Sequence, residues 1–156
     1  MKKVMLAILT TGLLIGLMDG IAASVNAYFS SGATPDRVFR FIASGVFGTD
    51  AFKDSHVMVV WGVAFHFLIA LLWTALYFWL ATQFEWPRQH YVVSGILYGL
   101  FIWAAMTYLV LPLSNTPASK PSLPGALIMI GIHTLVIGIP MAYRVSRHFM
   151  ALSTTH

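Results

Sequence analysis

Three ionisable side chains, Asp19, His66 and His133, lie within long apolar stretches of the sequence. A carboxylate can bind a cation or hold a proton, and an imidazole titrates near neutral pH. A charged side chain at the centre of a membrane costs about 2.5–3.5 kcal/mol on insertion scales, so such residues are usually retained for a function. The first hypothesis is therefore an intramembrane site that binds or conducts a proton, an ion or a small solute.

Two further hypotheses use the same residues as ligands. Two neutral imidazoles and one carboxylate suit a divalent metal such as Zn²⁺ or Fe²⁺, so Asp19, His66 and His133 are also candidate metal ligands. Alternatively, the two histidines could be axial ligands of haem b in a redox subunit, with Arg37 and Arg40 near the surface as partners of its propionates. Haem needs a wide slot between helices, whereas the small residues near these positions favour close helix approach.

A hypothesis from a different class is a structural or accessory membrane subunit, in which the polar trio only orders helix packing through interhelical hydrogen bonds. Enzyme motifs are not found: the sequence has no His-Glu-x-x-His, no nucleophile elbow and no phosphate-binding glycine loop. Since there is no cysteine, disulfides, thiolate catalysis and Cys-ligated metals are excluded. The sequence therefore gives no ground for expecting an enzyme and does not decide the question.

The distribution of charge predicts the elements that position these side chains. Of the 156 residues, 58% are hydrophobic and 9% are charged, whereas a soluble domain carries about 25% charged residues. No Asp, Glu, Lys or Arg occurs in 55–84, 89–119 or 121–143, and each gap exceeds the roughly 20 apolar residues that cross a bilayer as a helix. The sequence predicts an all-α, four-helix transmembrane bundle that forms one integral membrane domain over 1–156. The predicted spans are about 4–29, 57–80, 91–113 and 124–143.

The residues between the first two spans predict membrane-surface structure over 31–55. Thr34 can cap a helix, Pro35 can take its first position, and Asp36 can favour the positive end of the helix dipole. Basic side chains fall on one side of this segment and apolar side chains on others, which is typical of a helix in the membrane interface. A short interfacial amphipathic helix is therefore expected between spans 1 and 2.

The depths of the three ionisable side chains agree. His66 and His133 each lie nine residues into their spans from one membrane face, which is roughly 13–14 Å at 1.5 Å per residue. Asp19 lies fifteen residues into the first span from the opposite face, or about 22 Å. All three fall in one layer near the midplane, so we expect them to meet. The possible further contributors to the site are Asn26, Thr74, Met106 and Tyr108.

Glycines at helical spacing predict close helix packing. Gly12, Gly16 and Gly20 lie four residues apart in span 1, and Gly95 and Gly99 form a second pair in span 3. This spacing of small residues lets the backbone of a neighbouring helix approach closely. The sequence leaves open whether these faces pack inside one bundle or between the copies of a homo-oligomer.

The first span also fits a secretory signal peptide, because a basic start, an apolar stretch and a small-residue tract follow one another. The glycine row favours its retention as a span, since a discarded segment needs no packing face. Basic residues near the helix ends place the N- and C-termini on the cytoplasmic side. The formal net charge of +4 comes from these scattered residues, so the expected partner is membrane lipid and not nucleic acid.

Three stretches stand out in the second half of the chain: FHFLIALLWTALYFWLA in span 2, YLVLPLSNTP at the end of span 3 and MIGIHTLVIGIP in span 4. Their pattern resembles the YagU-like family of small bacterial inner-membrane proteins. The resemblance singles out His66, Pro112 and His133. It implies a four-span, multi-pass protein of the bacterial inner (cytoplasmic) membrane and suggests a link to acid resistance. Asp19 departs from the pattern.

Overall fold

A computed structural model describes residues 2–53, 56–117 and 122–153 of the chain. Four helices are long and apolar enough to cross a membrane, which confirms the predicted all-α, four-span bundle of a multi-pass membrane protein. No strand occurs in these described ranges. The helices are α1 (Lys2–Ser31), α2 (Pro35–Phe47), α3 (His56–Gln83), α4 (Trp86–Gln89), α5 (Tyr91–Leu113) and α6, which begins at Leu123 and ends at Ser153.

The end of α6 is the largest difference from the predicted spans. The sequence placed the end of span 4 near residue 143, but the helix continues to Ser153. Polar side chains in the extension find partners in the bundle: Arg144 Nε donates to Thr11 Oγ1 of α1 at 3.1 Å. Ser146 Oγ donates to the backbone carbonyl of Arg88 in α4 at 2.6 Å. These bonds hold the polar end of α6 against α1 and α4, so the helix does not stop at its first arginine.

The surface segment contains the expected helix α2, followed by a 3₁₀ turn at Gly48–Phe52. Pro35 and Asp36 lie in the first turn of α2, as predicted. Thr34 is the N-cap residue, but its hydroxyl makes no capping bond to the backbone. The Thr34 hydroxyl instead bonds the Asp36 carboxylate and lowers the pKa of Asp36, and the Arg40 charge acts in the same direction.

Helix α2 is a fixed part of the bundle and closes one end of it, which we call the α2 end. The backbone of Phe39 meets α3 at Gly62, where any Cβ would overlap the Phe39 carbonyl. The segment after α5 holds the other side of α2. There, Asn115 donates from Nδ2 to the Val46 carbonyl at 2.9 Å and from its backbone N–H to the Gly45 carbonyl at 3.0 Å.

The glycine row of α1 faces α3. A Cβ at Gly12 would lie 2.6 Å from Leu71 Cδ2, and one at Gly16 would lie 2.8 Å from Phe67 Cδ1. Gly20 continues the row against the same helix. Close approach of α1 and α3 therefore depends on positions that carry no side chain, and the row is used inside the chain.

A second pair of glycines brings α5 against α6. A Cβ at Gly95 would lie 2.7 Å from Ile139 Cα, and one at Gly99 would overlap the backbone carbonyl of His133. These are contacts with backbone, which cannot rotate away as a side chain can. Gly95 and Gly99 therefore also pack within one chain.

Two π-helical segments widen the spans, Met106–Val110 in α5 and Ile132–Gly138 in α6. Each segment ends two residues before a proline, Pro112 or Pro140. Proline has no N–H, and its ring clashes with the carbonyl four residues earlier, so the helix in front of it widens. The wide segment of α6 carries His133.

Candidate functional site

Asp19 and His66 meet between α1 and α3. Asp19 Oδ2 lies 4.0 Å from His66 Nδ1, and 24% of the Asp19 side chain and 8% of the His66 side chain are exposed. Gly16 and Gly20 make this meeting possible, because they let α1 lie directly against α3 on the same face as Asp19. Two of the three predicted site residues are thus adjacent.

A hydrogen bond fixes the tautomer of the neutral His66 ring. Its Nε2 lies 2.7 Å from the backbone carbonyl of Gly16. A carbonyl oxygen only accepts, so Nε2 carries a hydrogen and Nδ1 presents a lone pair towards Asp19. One proton can therefore reside on the Asp19 carboxyl or on His66 Nδ1 while the bond to Gly16 stays intact. At 4.0 Å, its transfer needs a small approach of the two groups or one bridging water.

Aromatic rings enclose His66. Phe67 of α3 and Phe39 of α2 each lie edge to face with the imidazole, with ring centroids 5.5 and 5.9 Å away. Phe39 Cζ is also 3.7 Å from the Cβ position of Gly20, so Phe39 separates the polar pair from the α2 end. An apolar shell disfavours isolated charges, so sharing one proton is the less costly arrangement for the pair. The sequence did not predict this role of Phe39, since its only signal is a place on the apolar face of α2.

His133 is contributed by the wide segment of α6. Its side chain is buried, and Nδ1 lies 2.8 Å from the Met129 carbonyl. By the same reasoning as for His66, Nδ1 carries the hydrogen and Nε2 presents a lone pair. Nε2 has no hydrogen-bond partner in the parts of the chain that the structure describes. Within the described residues no hydrogen bond or ion pair joins His133 to Asp19 or His66, so His133 is a second buried imidazole that α6 contributes.

Asn26 is the one further sequence-predicted contributor that adjoins the site. Its Nδ2 lies 3.7 Å from Met129 Sδ, and Met129 is the residue whose carbonyl accepts from His133. The contact ties α1 to α6 one turn before the imidazole. Asn26 therefore helps to position His133 and is not shown to touch Asp19.

The other three contributors lie apart from the trio. Thr74 is buried, but its hydroxyl donates to a carbonyl of its own helix at 2.8 Å. Met106 packs against the apolar core. Tyr108 is 70% exposed and lies edge to face with Trp103, and no contact with the trio is shown for it. Both Met106 and Tyr108 belong to the π-helical segment Met106–Val110.

The trio does not form a metal or haem site in this arrangement. Across the described residues, no group of three or more His, Asp or Glu side chains lies close enough to hold a metal ion. To bind haem iron through Nε2, His66 would have to give up its hydrogen bond to the Gly16 carbonyl. Arg40, expected beside a propionate, donates instead to the Lys53 carbonyl at 3.2 Å. Metal and haem binding are therefore poorly supported by the geometry.

What remains is the adjacent pair of Asp19 and His66 and a second buried imidazole, His133. Groups of these kinds can accept, hold and pass a proton. Comparison of this chain with protein-family models, with curated proteins and with solved structures finds no match. A proposal of function therefore rests on the chemistry of these residues.

Proposed function

We propose that this protein binds a proton inside the membrane and passes it among Asp19, His66 and His133. The observation that carries the proposal is that Asp19 Oδ2 lies 4.0 Å from His66 Nδ1. The other ring nitrogen of His66, Nε2, is already hydrogen-bonded to the Gly16 carbonyl. Imidazole ionises in the physiological pH range. A buried acid beside such rings is typical of the proton relays of pumps and transporters.

A proton suits the site better than a larger cargo does. Phe39 and Phe67 enclose His66, whereas a proton needs no cavity. A metal ion needs three or more convergent ligands, and the described residues do not supply them. The inference of proton binding therefore requires only the groups that are already adjacent.

The setting of such a protein is a membrane that carries a proton gradient, and we propose the bacterial inner membrane. The basic residues near the helix ends favour cytoplasmic termini. In that orientation α2 lies on the outer side, and Phe39 lies between the site and the outer surface. A proton that enters from outside would pass this ring before it reaches His66.

One observation favours a second candidate, a structural membrane subunit. His66 of α3 donates to the Gly16 carbonyl of α1 at 2.7 Å. This interhelical bond can fix the register of the two helices without any proton movement. Such bonds are worth about 0.6 kcal/mol on average in membranes, which makes them weak compensation for burying an acid beside them. In this alternative, substitutions in the trio change stability only.

Proton flux in liposomes separates the two candidates. Purified protein is reconstituted with a pH-sensitive dye inside the vesicles, and a potassium diffusion potential drives protons inward. We expect the wild type to acidify the lumen, and we expect His66→Ala to reduce the rate by about tenfold or more, because a positioned proton acceptor is lost.

His90→Ala is the matched control, because His90 stacks on Trp86 at the opposite end of α3 from α2, with ring centroids 5.6 Å apart. This variant should conduct as the wild type does. If wild-type vesicles acidify no faster than empty ones, or if the His66→Ala and His90→Ala proteins conduct equally, the proton proposal fails and the structural candidate remains.

A further inference from the structure

An apolar groove runs along α1 where α1 begins, at the end of the bundle that carries α4. It is a shallow, open groove of about 530 Å³, lined by Met5, Leu6, Ile8, Leu9 and Leu71. Leu71 of α3, which lines the groove, also contacts α1 at Gly12. All of its lining side chains are apolar.

Two lysines stand at the mouth of this groove. Lys2 precedes Met5 and Leu6 by three and four residues, so it continues the same helical face. Lys2 and Lys3 are exposed, and neither has an ion-pair partner within the described residues. The one acidic side chain described at this end, Glu85, pairs with Arg88 at 3.5 Å. The groove therefore ends in two positive charges that lack a counter-charge.

We propose that the groove binds an acyl chain of an anionic phospholipid whose phosphate pairs with Lys2 and Lys3. The match has two parts: an acyl chain covers the apolar walls, and the headgroup supplies the missing negative charge at the level where anionic lipids attract lysine. A second copy of this chain matches the groove less well. A two-fold contact through it would bring two Lys2–Lys3 pairs side by side, and like charges repel.

Native mass spectrometry of the full chain tests this inference. The protein is reconstituted in vesicles of phosphatidylcholine and phosphatidylglycerol and is then released in mild detergent. We expect the wild type to retain phosphatidylglycerol in preference to phosphatidylcholine. The double variant Lys2→Gln, Lys3→Gln should lower that retention about 30-fold, because each membrane-proximal lysine contributes about a factor of five.

A groove-filling variant tests the acyl-chain part of the proposal. Leu9→Trp should reduce retention of phosphatidylglycerol while leaving the protein folded, because the larger ring occupies the groove. Leu127→Trp is the matched control, since Leu127 is equally apolar but lies exposed on α6, away from the groove.

Three results would overturn the inference: equal retention of the two lipids, equal retention by the wild type and the double lysine variant, or lipid-free dimers formed through this face. None of these results depends on proton flux, so the inference and the proposed function can fail separately.

Discussion

Asp19→Asn is expected to abolish proton flux in liposomes and to leave the protein at least as stable as the wild type. The amide has nearly the shape of the carboxyl group but cannot gain or lose a proton. It also removes an ionisable group whose charged form costs about 2.5–3.5 kcal/mol within a membrane, so the free energy of unfolding should stay level or rise by up to that amount. The dye assay reports the flux, and thermal unfolding in detergent reports the stability.

Asp36→Asn provides the matched control. Asp36 is an exposed carboxylate in the first turn of α2, outside the spans, and the same chemical change there should leave flux intact. If Asp19→Asn conducts at the wild-type rate, Asp19 is no part of a relay. If it loses flux only together with its folded structure, the role of Asp19 is structural.

Gly99→Ala is expected to cause a large loss of stability, because the added methyl group would meet the backbone of α6. The new Cβ would overlap the backbone carbonyl of His133 and lie 2.6 Å from Thr134 Cα. Overpacking costs about 1–3 kcal/mol and sometimes more. The atoms that the new methyl group would meet belong to the backbone of α6, which cannot rotate away as a side chain can. Because α6 must move, His133 moves with it, and flux should fall together with stability.

Gly131→Ala is the control for Gly99→Ala. Gly131 lies in α6, two residues before His133. No heavy atom lies within 4 Å of the Cβ position of Gly131, and alanine is favoured over glycine in a helix by about 0.8–1.0 kcal/mol. Its midpoint of thermal unfolding, followed by circular dichroism, should match or exceed that of the wild type. Equal midpoints for the Gly99→Ala and Gly131→Ala proteins would show that the α5–α6 contact is not tight.

The helical spans could be predicted because charged side chains are excluded from the middle of a membrane, so the charge-free gaps trace the helices. The end of α6 could not be predicted in the same way. Arg144 and Ser146 signal an exit from the membrane when they are read alone, but they bond Thr11 and the carbonyl of Arg88. Such partners lie far away in sequence, so local composition does not reveal them.

The meeting of Asp19 and His66 follows from depth, since a rise of 1.5 Å per residue places both side chains in one layer. The direction in which a side chain points from its helix is harder to predict than its depth, as Tyr108 illustrates. Tyr108 belongs to a π-helical segment, and its side chain is 70% exposed. The prolines at 112 and 140 were a usable signal for this widening, because each one prevents the regular bond in the preceding turn.

The ring nitrogens of His66 offer the most direct test of a proton shared with Asp19. Solid-state NMR of ¹⁵N-histidine-labelled protein in bilayers distinguishes protonated from unprotonated ring nitrogens, and the His66→Ala spectrum assigns the signals. The hydrogen bond to the Gly16 carbonyl predicts that Nε2 of His66 is protonated, and a proton shared with Asp19 predicts that Asp19→Asn shifts the signal of Nδ1. A His66 Nδ1 signal that is the same in the wild type and in Asp19→Asn would contradict the shared proton.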